Sequence, residues 1–189
     1  MARCVGDAFL KIGIIGDIEK KFSQEIINIY DESLEFICES KHDFSGLIIL
    51  SKELNFEEKE LIYKSEELSA PIIGIQDGFD GLNLFFGGND STLTSDSVNQ
   101  LFLSPGAKLS HIVGGSGWVK GDIKLDKTIF SKDLSDAFFS SMISDKGEIL
   151  GFEKPGVDWQ FGLRFDVFSP DIPRGFENII KVFLDKCNE

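Results

Sequence analysis

The chain has 189 residues, enough for one domain with a substantial core, and 1–189 reads as a single domain behind a tail at 1–9. Apolar residues make up 42% of it, which argues against disorder, and no apolar run approaches the roughly 18 residues of a membrane span. With 32 acidic and 19 basic side chains the net charge is -13, so a phosphate backbone is repelled and nucleic acid is not an expected partner. The acidity reads as a solubility device, with a basic partner protein as the alternative. The first residues carry no hydrophobic signal core. Cys4, Cys38 and Cys187 are an odd count in no metal-ligand pattern. A reducing cytoplasm is the expected home.

Leu10 to Asp17 reads as a buried first strand ending in a turn. Its Gly13-x-x-Gly16 falls short of a dinucleotide fingerprint. Phe22, Ile26, Ile29 and Tyr30 fall at helical spacing. Leu34–Cys38 reads as a short strand and Phe44–Leu50 as a buried one. Asn55 is placed to cap a helix running to about Leu68, with Glu57 and Glu58 in its favourable first turn. Pro71-Ile72-Ile73-Gly74-Ile75 is a further buried strand, started by a proline whose missing N–H need not enter a ladder. This alternation predicts a parallel sheet covered by helices on both faces.

Gly74 and Gly78 flank Gln76, and the pattern predicts a sharp strand-to-helix turn with Gln76 on strained backbone. That is the geometry of a nucleophile elbow, where the middle residue is a Ser or Cys. An amide is no nucleophile. Beyond Gly87-Gly88 the texture changes. Asn89 to Asn99 is polar and turn-rich. Short strands are predicted at Gln100–Leu103, Trp118–Leu125, Phe138–Ile143, Glu148–Phe152 and Gln160–Val167. Gly114-Gly115-Ser116-Gly117 reads as a hairpin or strand-entry turn, or less simply as a phosphate cradle. Phe176, Ile179, Ile180, Phe183 and Leu184 mark a terminal amphipathic helix.

The stretch from Pro71 to Gly88 resembles the class I glutamine amidotransferases and their γ-glutamyl hydrolase relatives, whose signature reads P-[IL]-[IL]-G-[IV]-C-x-G-x-Q, often followed by L-N and G-G. Pro71, Gly74, Gly78, Leu82, Asn83, Gly87 and Gly88 match it. Leu103–Leu109 is similar to the family's "pGs-L" segment, and Asp145–Glu153 to its "DG-iea-e" segment, nearest the γ-glutamyl hydrolase branch. Gly162–Phe168 falls where relatives have G-V-Q-[FW]-H-P-E. The resemblance covers about residues 10 to 187. It implies a flavodoxin-like α/β fold, mostly parallel, with extra short antiparallel strands in the second half.

The chemistry that the resemblance implies is a Cys thiolate attacking a γ-carbonyl, a His that deprotonates it and a Glu that orients the His. Those positions carry Gln76, Asp166 and Phe168, so no catalytic triad is expected. The relatives' substrate-contacting Gln is Asp80, and their oxyanion Gly-Gly is Ser51-Lys52. His42 and His111 fall at no motif position, and no cysteine falls near the turn. A pseudoenzyme follows, serving as a binding or partner subunit, with a synthetase or transferase as the implied partner and homo-oligomerisation left open.

The fold would gather Gln76, Asp77, Asp80 and Asp166 at the old site. Two arrangements are open. The carboxylates form a cation or amine pocket, or an oxygen-ligand metal site. Alternatively Gln76 and Asp166 bond each other, while Asp77 and Asp80 meet solvent or helix-end N–H groups. No zinc is expected without a His or Cys cluster, and no cofactor is called for. The alternative function is an enzyme of altered chemistry on an amine or γ-glutamyl-type substrate, using the acids around Asp166. Most of Trp118, Trp159 and the 18 phenylalanines are expected in the core, with an exposed interface patch among them as the alternative.

Overall fold

The structure is a computed structural model that describes residues 9–30, 34–38, 42–156 and 158–189; Cys4 lies outside them. The first half of the chain runs β1 (Leu10–Ile15), α1 (Lys20–Tyr30), β2 (Leu34–Ile37), β3 (Gly46–Ile49), α2 (Phe56–Glu67), β4 (Ile72–Ile75) and α3 (Asp77–Phe85). The second half runs β5 (Thr92–Leu93), β6 (Ser97–Leu103), α4 (Lys108–Ile112), β7 (Gly117–Lys124), β8 (Lys127–Thr128), β9 (Phe139–Ser144), β10 (Ile149–Glu153), β11 (Gln160–Leu163) and α5 (Asn178–Cys187).

Nine strands form one sheet in the order β2-β1-β3-β4-β11-β10-β9-β6-β7, while β5 and β8 pair separately. The pairings from β2 across to β11 are parallel, and those from β11 across to β7 are antiparallel. The α/β fold expected from the sequence, a parallel sheet between helices extended by antiparallel strands, is the observed architecture. The last strand of the chain's sheet, β11, inserts beside β4 with Gly162 opposite Gly74 and Leu163 opposite Ile75. Residues from the two ends of the sequence therefore meet at the centre of the sheet.

Successive side chains along each parallel strand feed opposite faces, as the two-residue period requires. Ile12, Ile14, Ile48, Ile73 and Ile75 enter a core that includes Ile26 of α1 and Ile179, Ile180, Phe183 and Leu184 of α5. Ile15, Leu47, Ile49 and Ile72 enter a second core with Leu61 and Ile62 of α2 and Phe79 and Leu82 of α3. Cys187 is buried against Gly46, and burial pushes its thiol pKa up. It is a packing residue.

Asn55 caps α2 as its position predicts. Its Oδ1 accepts the Glu58 N–H at 3.0 Å, and the Glu58 carboxylate accepts the Asn55 N–H at 2.8 Å. The two bonds form a reciprocal capping box. The glycine loop at 114–117 is the turn that leads from the five-residue helix α4 into β7, the strand-entry turn expected of it. Two expectations need correction. The polar, turn-rich stretch at 89–99 also contains β5 and the first residues of β6, a bulged strand whose register shifts between Val98 and Gln100. Finally, β11 ends at Leu163 rather than Val167, because the chain turns out of the ladder as Arg164 enters a buried ion pair and Asp166 caps a turn.

Candidate functional site

The carboxyl ends of the parallel strands share one edge, and the chain turns away from each of them there. Open α/β sheets place ligands at that edge. A cleft of about 640 Å³ lies there. Asp17 follows β1, Leu50 follows β3, Gln76 follows β4 and the 164–168 segment follows β11; all line it. The opposite wall comes from Asp122 to Asp126, at the end of β7, and from Phe22 of α1.

Gln76 makes the turn between β4 and α3 at φ 54° and ψ -111°, outside the regions an ordinary side chain prefers. Its N–H is held by the Leu163 carbonyl of β11 at 2.8 Å, and its carbonyl accepts the Phe79 N–H at 3.1 Å. The surrounding glycines explain why so tight a turn is possible. A Cβ on Gly78 would overlap the Ile49 carbonyl of β3, one on Gly81 would overlap the Ser51 carbonyl, and one on Gly74 would meet Gly78 itself. The amino end of α3 thus sits directly on the backbone of β3 and β4. Gln76 is left exposed at the floor of the cleft.

The structure brings Gln76, Asp77, Asp166 and Phe168 together in the cleft wall and leaves Asp80 out of it. Asp80 is only 1% exposed. Its two oxygens accept from Nη1 and Nη2 of Arg164 at 2.6 Å each, and Ser91 Oγ lies 3.2 Å from Oδ2. The Arg164 guanidinium lies 4.1 Å from the centre of the Phe79 ring. Asp80 therefore meets neither solvent nor a helix end; it is the partner of a buried arginine under the α3 turn. Asp77 also has a cation, Lys127, whose Nζ donates to Oδ1 at 2.5 Å. That hydrogen bond raises the Lys127 pKa against a smaller opposing effect of burial.

Gln76 and Asp166 do not bond each other. One oxygen of Asp166 accepts the Phe168 N–H at 2.9 Å, holding the turn after β11. Phe168 packs edge-on against Phe22 of α1, with ring centres 5.2 Å apart. Where the resemblance puts an orienting carboxylate, this chain has an aromatic contact that fastens α1 beside the cleft. The loop after β3 is closed by its own contacts: Ser51 Oγ donates to the Glu53 carbonyl at 2.9 Å, and Lys52 donates to Asp90 at 2.9 Å. Among the described residues, neither His42, His111 nor a cysteine lines the cleft. Among the described residues, no three His, Cys, Asp or Glu side chains are grouped closely enough to hold a metal ion.

Two residues were missed in the sequence, Arg164 and Lys127, the cations that answer the crowded carboxylates. The signal for Arg164 was present: a lone arginine at the end of the apolar strand Gln160–Leu163, where no solvent awaits it. Asn83 also proves to be structural. Buried completely, it donates to the carbonyls of Asn89 and Asp133 at 3.0 Å each and accepts the Ser135 N–H at 2.9 Å. Gly88 leaves room for that amide. The Leu-Asn and Gly-Gly pieces of the motif are thus one packing unit.

The fold recurs in solved structures. Over 95% of this chain and 94% of the other, it superposes on a Thermoplasma acidophilum protein described as belonging to a GMP synthase, with TM-score 0.70 and 14% identity. The glutaminase domain of Trypanosoma brucei CTPS matches over 95% and 94% with TM-score 0.65 and 9% identity. A glutamine amidotransferase from Thermotoga maritima matches over 95% and 84% with TM-score 0.62 and 15% identity. The fold is that of a glutamine amidotransferase domain. No protein-family model matches the chain, and no curated protein matches it in sequence. No helix among the described residues is long and apolar enough to cross a membrane.

Proposed function

We propose that this chain is a glutamine amidotransferase-like domain without glutaminase chemistry, a pseudoenzyme that serves as a binding or partner subunit. The observation that carries the reading is the residue at the strained turn. The position at φ 54° between β4 and α3, where the resemblance puts a thiolate, holds the amide Gln76. The positions of the base and its orienter hold Asp166 and Phe168, and among the described residues neither a thiol nor an imidazole lines the cleft to replace them. The turn itself is intact, with its glycines in close contact with β3, so the nucleophile elbow outlives its nucleophile.

A subunit role draws support from the neighbours: one is described as a GMP synthase subunit, another as the glutaminase domain of CTPS. The partner we propose is a synthetase or transferase, met in the cytoplasm, with residues 1–189 acting as one domain. Affinity purification of the tagged protein from its own cells at low salt tests this. Stoichiometric recovery of such an enzyme supports the role, and recovery of the protein alone contradicts it.

One observation favours a second reading. The cleft is open rather than filled, and Asp166 lines it. An enzyme of altered chemistry, acting on an amine or γ-glutamyl-type substrate through the acids around Asp166, would lose turnover in Asp166→Asn. Turnover that survives that change would remove this reading.

A further inference from the structure

The strand β7 ends the nine-stranded sheet, and among the described residues its outer edge pairs with no strand. Two backbone bonds show which of its residues point their main chain outward. Ser104, just past β6, donates its N–H to the Ser141 carbonyl of β9 at 2.9 Å. Main-chain groups alternate sides along a strand, so Phe102 also faces β9, while Leu101 and Leu103 face β7 and meet Val119 and Gly117 there. From the other end, the Asp122 N–H donates to the Asp171 carbonyl at 3.3 Å, away from β6. Both bonds place the N–H and C=O groups of Trp118 and Lys120 on the open side, and among the described residues nothing outside the sheet bonds them. The open edge has two ends. The Asp171 segment covers it at Asp122, and the chain turns in from α4 at Gly117, where φ is 99°. Residues 117–121 remain, and Val119 is their midpoint.

The side chains of this stretch complement a reversed copy of itself. Trp118 is 57% exposed and packs on Phe102 with ring centres 5.4 Å apart. Exposed Lys120 shares its face of the sheet, and Val119 lies on the other face. An antiparallel copy related by a two-fold axis at Val119 sets Lys120 of each chain opposite Trp118 of the other. An ammonium then meets an indole, the ring that attracts cations best. Moving the axis to Lys120 would set two lysines opposite each other, and moving it to Trp118 would set Lys120 opposite Ser116, outside the strand. A lysine on an edge strand ordinarily discourages pairing. Here one register gives it a partner, and that register uses the whole open edge.

We propose that β7 is a self-association edge, at which two copies of this chain join antiparallel about Val119 into one continuous sheet. The outward N–H and C=O groups of Trp118 and Lys120 satisfy those of the second copy, and Gly117 lies opposite Gly121, where no side chain obstructs the approach. The inference is independent of the silent-domain reading, since it stands whether or not the cleft hydrolyses glutamine.

Sedimentation equilibrium of the full chain, at about 1 to 200 µM, tests the association. A monomer–dimer equilibrium is expected, with Kd on the order of 1–100 µM for so small an interface. Lys120→Glu replaces the cation opposite Trp118 and should weaken the dimer by about tenfold or more. Lys59→Glu, the same charge reversal on the exposed face of α2, should leave it within about twofold. Cysteine pairing reads the register, in a background of Cys4→Ser with Cys38→Ser. Val119→Cys falls opposite its own copy at a non-hydrogen-bonded position, with Cα atoms about 4.5 Å apart, and should give a covalent dimer under mild oxidation. Lys120→Cys is offset from its own copy and should crosslink about tenfold more slowly or not at all. A monomer throughout the concentration range, equal effects of the two charge reversals, or crosslinking of Lys120→Cys as fast as Val119→Cys would each overturn the proposal.

Discussion

Asp80→Ala removes one half of an ion pair that joins the start of α3 to the end of β11. Both side chains are buried, at 1% and 2% exposure, and two hydrogen bonds of 2.6 Å are lost together. The arginine cannot reach water without disturbing Phe79, on which it stacks. Breaking a buried pair from one side costs about 3–5 kcal/mol, because the remaining charge is stranded. With a urea dependence of about 2 kcal/mol per molar for a chain of this size, the unfolding midpoint should fall by about 2 M. Replacing both partners by apolar residues, Asp80→Leu with Arg164→Met, strands no charge and should lie within about 2 kcal/mol of the parent. Equilibrium urea unfolding followed by tryptophan fluorescence reads both numbers. A cost below about 1 kcal/mol for Asp80→Ala, or a double variant less stable than the single one, would refute the argument that this pair is buried and mutually dependent.

Gln76→Gly should raise stability by about 1 kcal/mol in the same assay, since glycine adopts φ 54° without the strain of a side chain. A loss of stability would show that the Gln76 side chain makes contacts outweighing that strain. Asn83→Ala should cost about 2–3 kcal/mol, because two backbone carbonyls and one N–H lose a buried partner; a change under roughly 0.5 kcal/mol would contradict the role assigned to it. Lys127 gives a pH signature. Its pKa is raised in the folded chain by the Asp77 hydrogen bond, so its contribution is complete below the usual 10.5 and disappears as the pH climbs past the higher folded value. Because Asp77 is 57% exposed, that contribution is about 1 kcal/mol or less. Stability measured from about pH 9 upward should fall more steeply for the parent than for Lys127→Met, and parallel curves would contradict the pairing.

The parts of the fold legible in the sequence are those in which one short stretch carries its own signal. The apolar runs of β1, β3 and β4 are bounded by turns and buried on both faces, and Asn55 has its capping partner three residues away. The turn at Gln76 is legible because its two glycines flank it within five residues, although only Gly74 answers a neighbour in the chain, Gly78, while Gly78 answers the distant backbone of β3. What escaped is either too short for periodicity or made by distant residues. α4 has five residues, and β5 and β8 have two each. Lys127 reaches Asp77 across 50 positions, and Arg164 reaches Asp80 across 84. Neither pairing has a local trace. The crowded carboxylates around Gln76 therefore suggested a missing cation, when the chain supplies two of its own.

Glutamine hydrolysis by the purified protein tests the central claim most directly, with ammonia and glutamate both measured. A site with Gln76, Asp166 and Phe168 at the positions of nucleophile, base and orienter should release neither above the buffer background, and Gln76→Ala should change nothing. Release of both products in equal amounts, abolished by Gln76→Ala, would contradict the account.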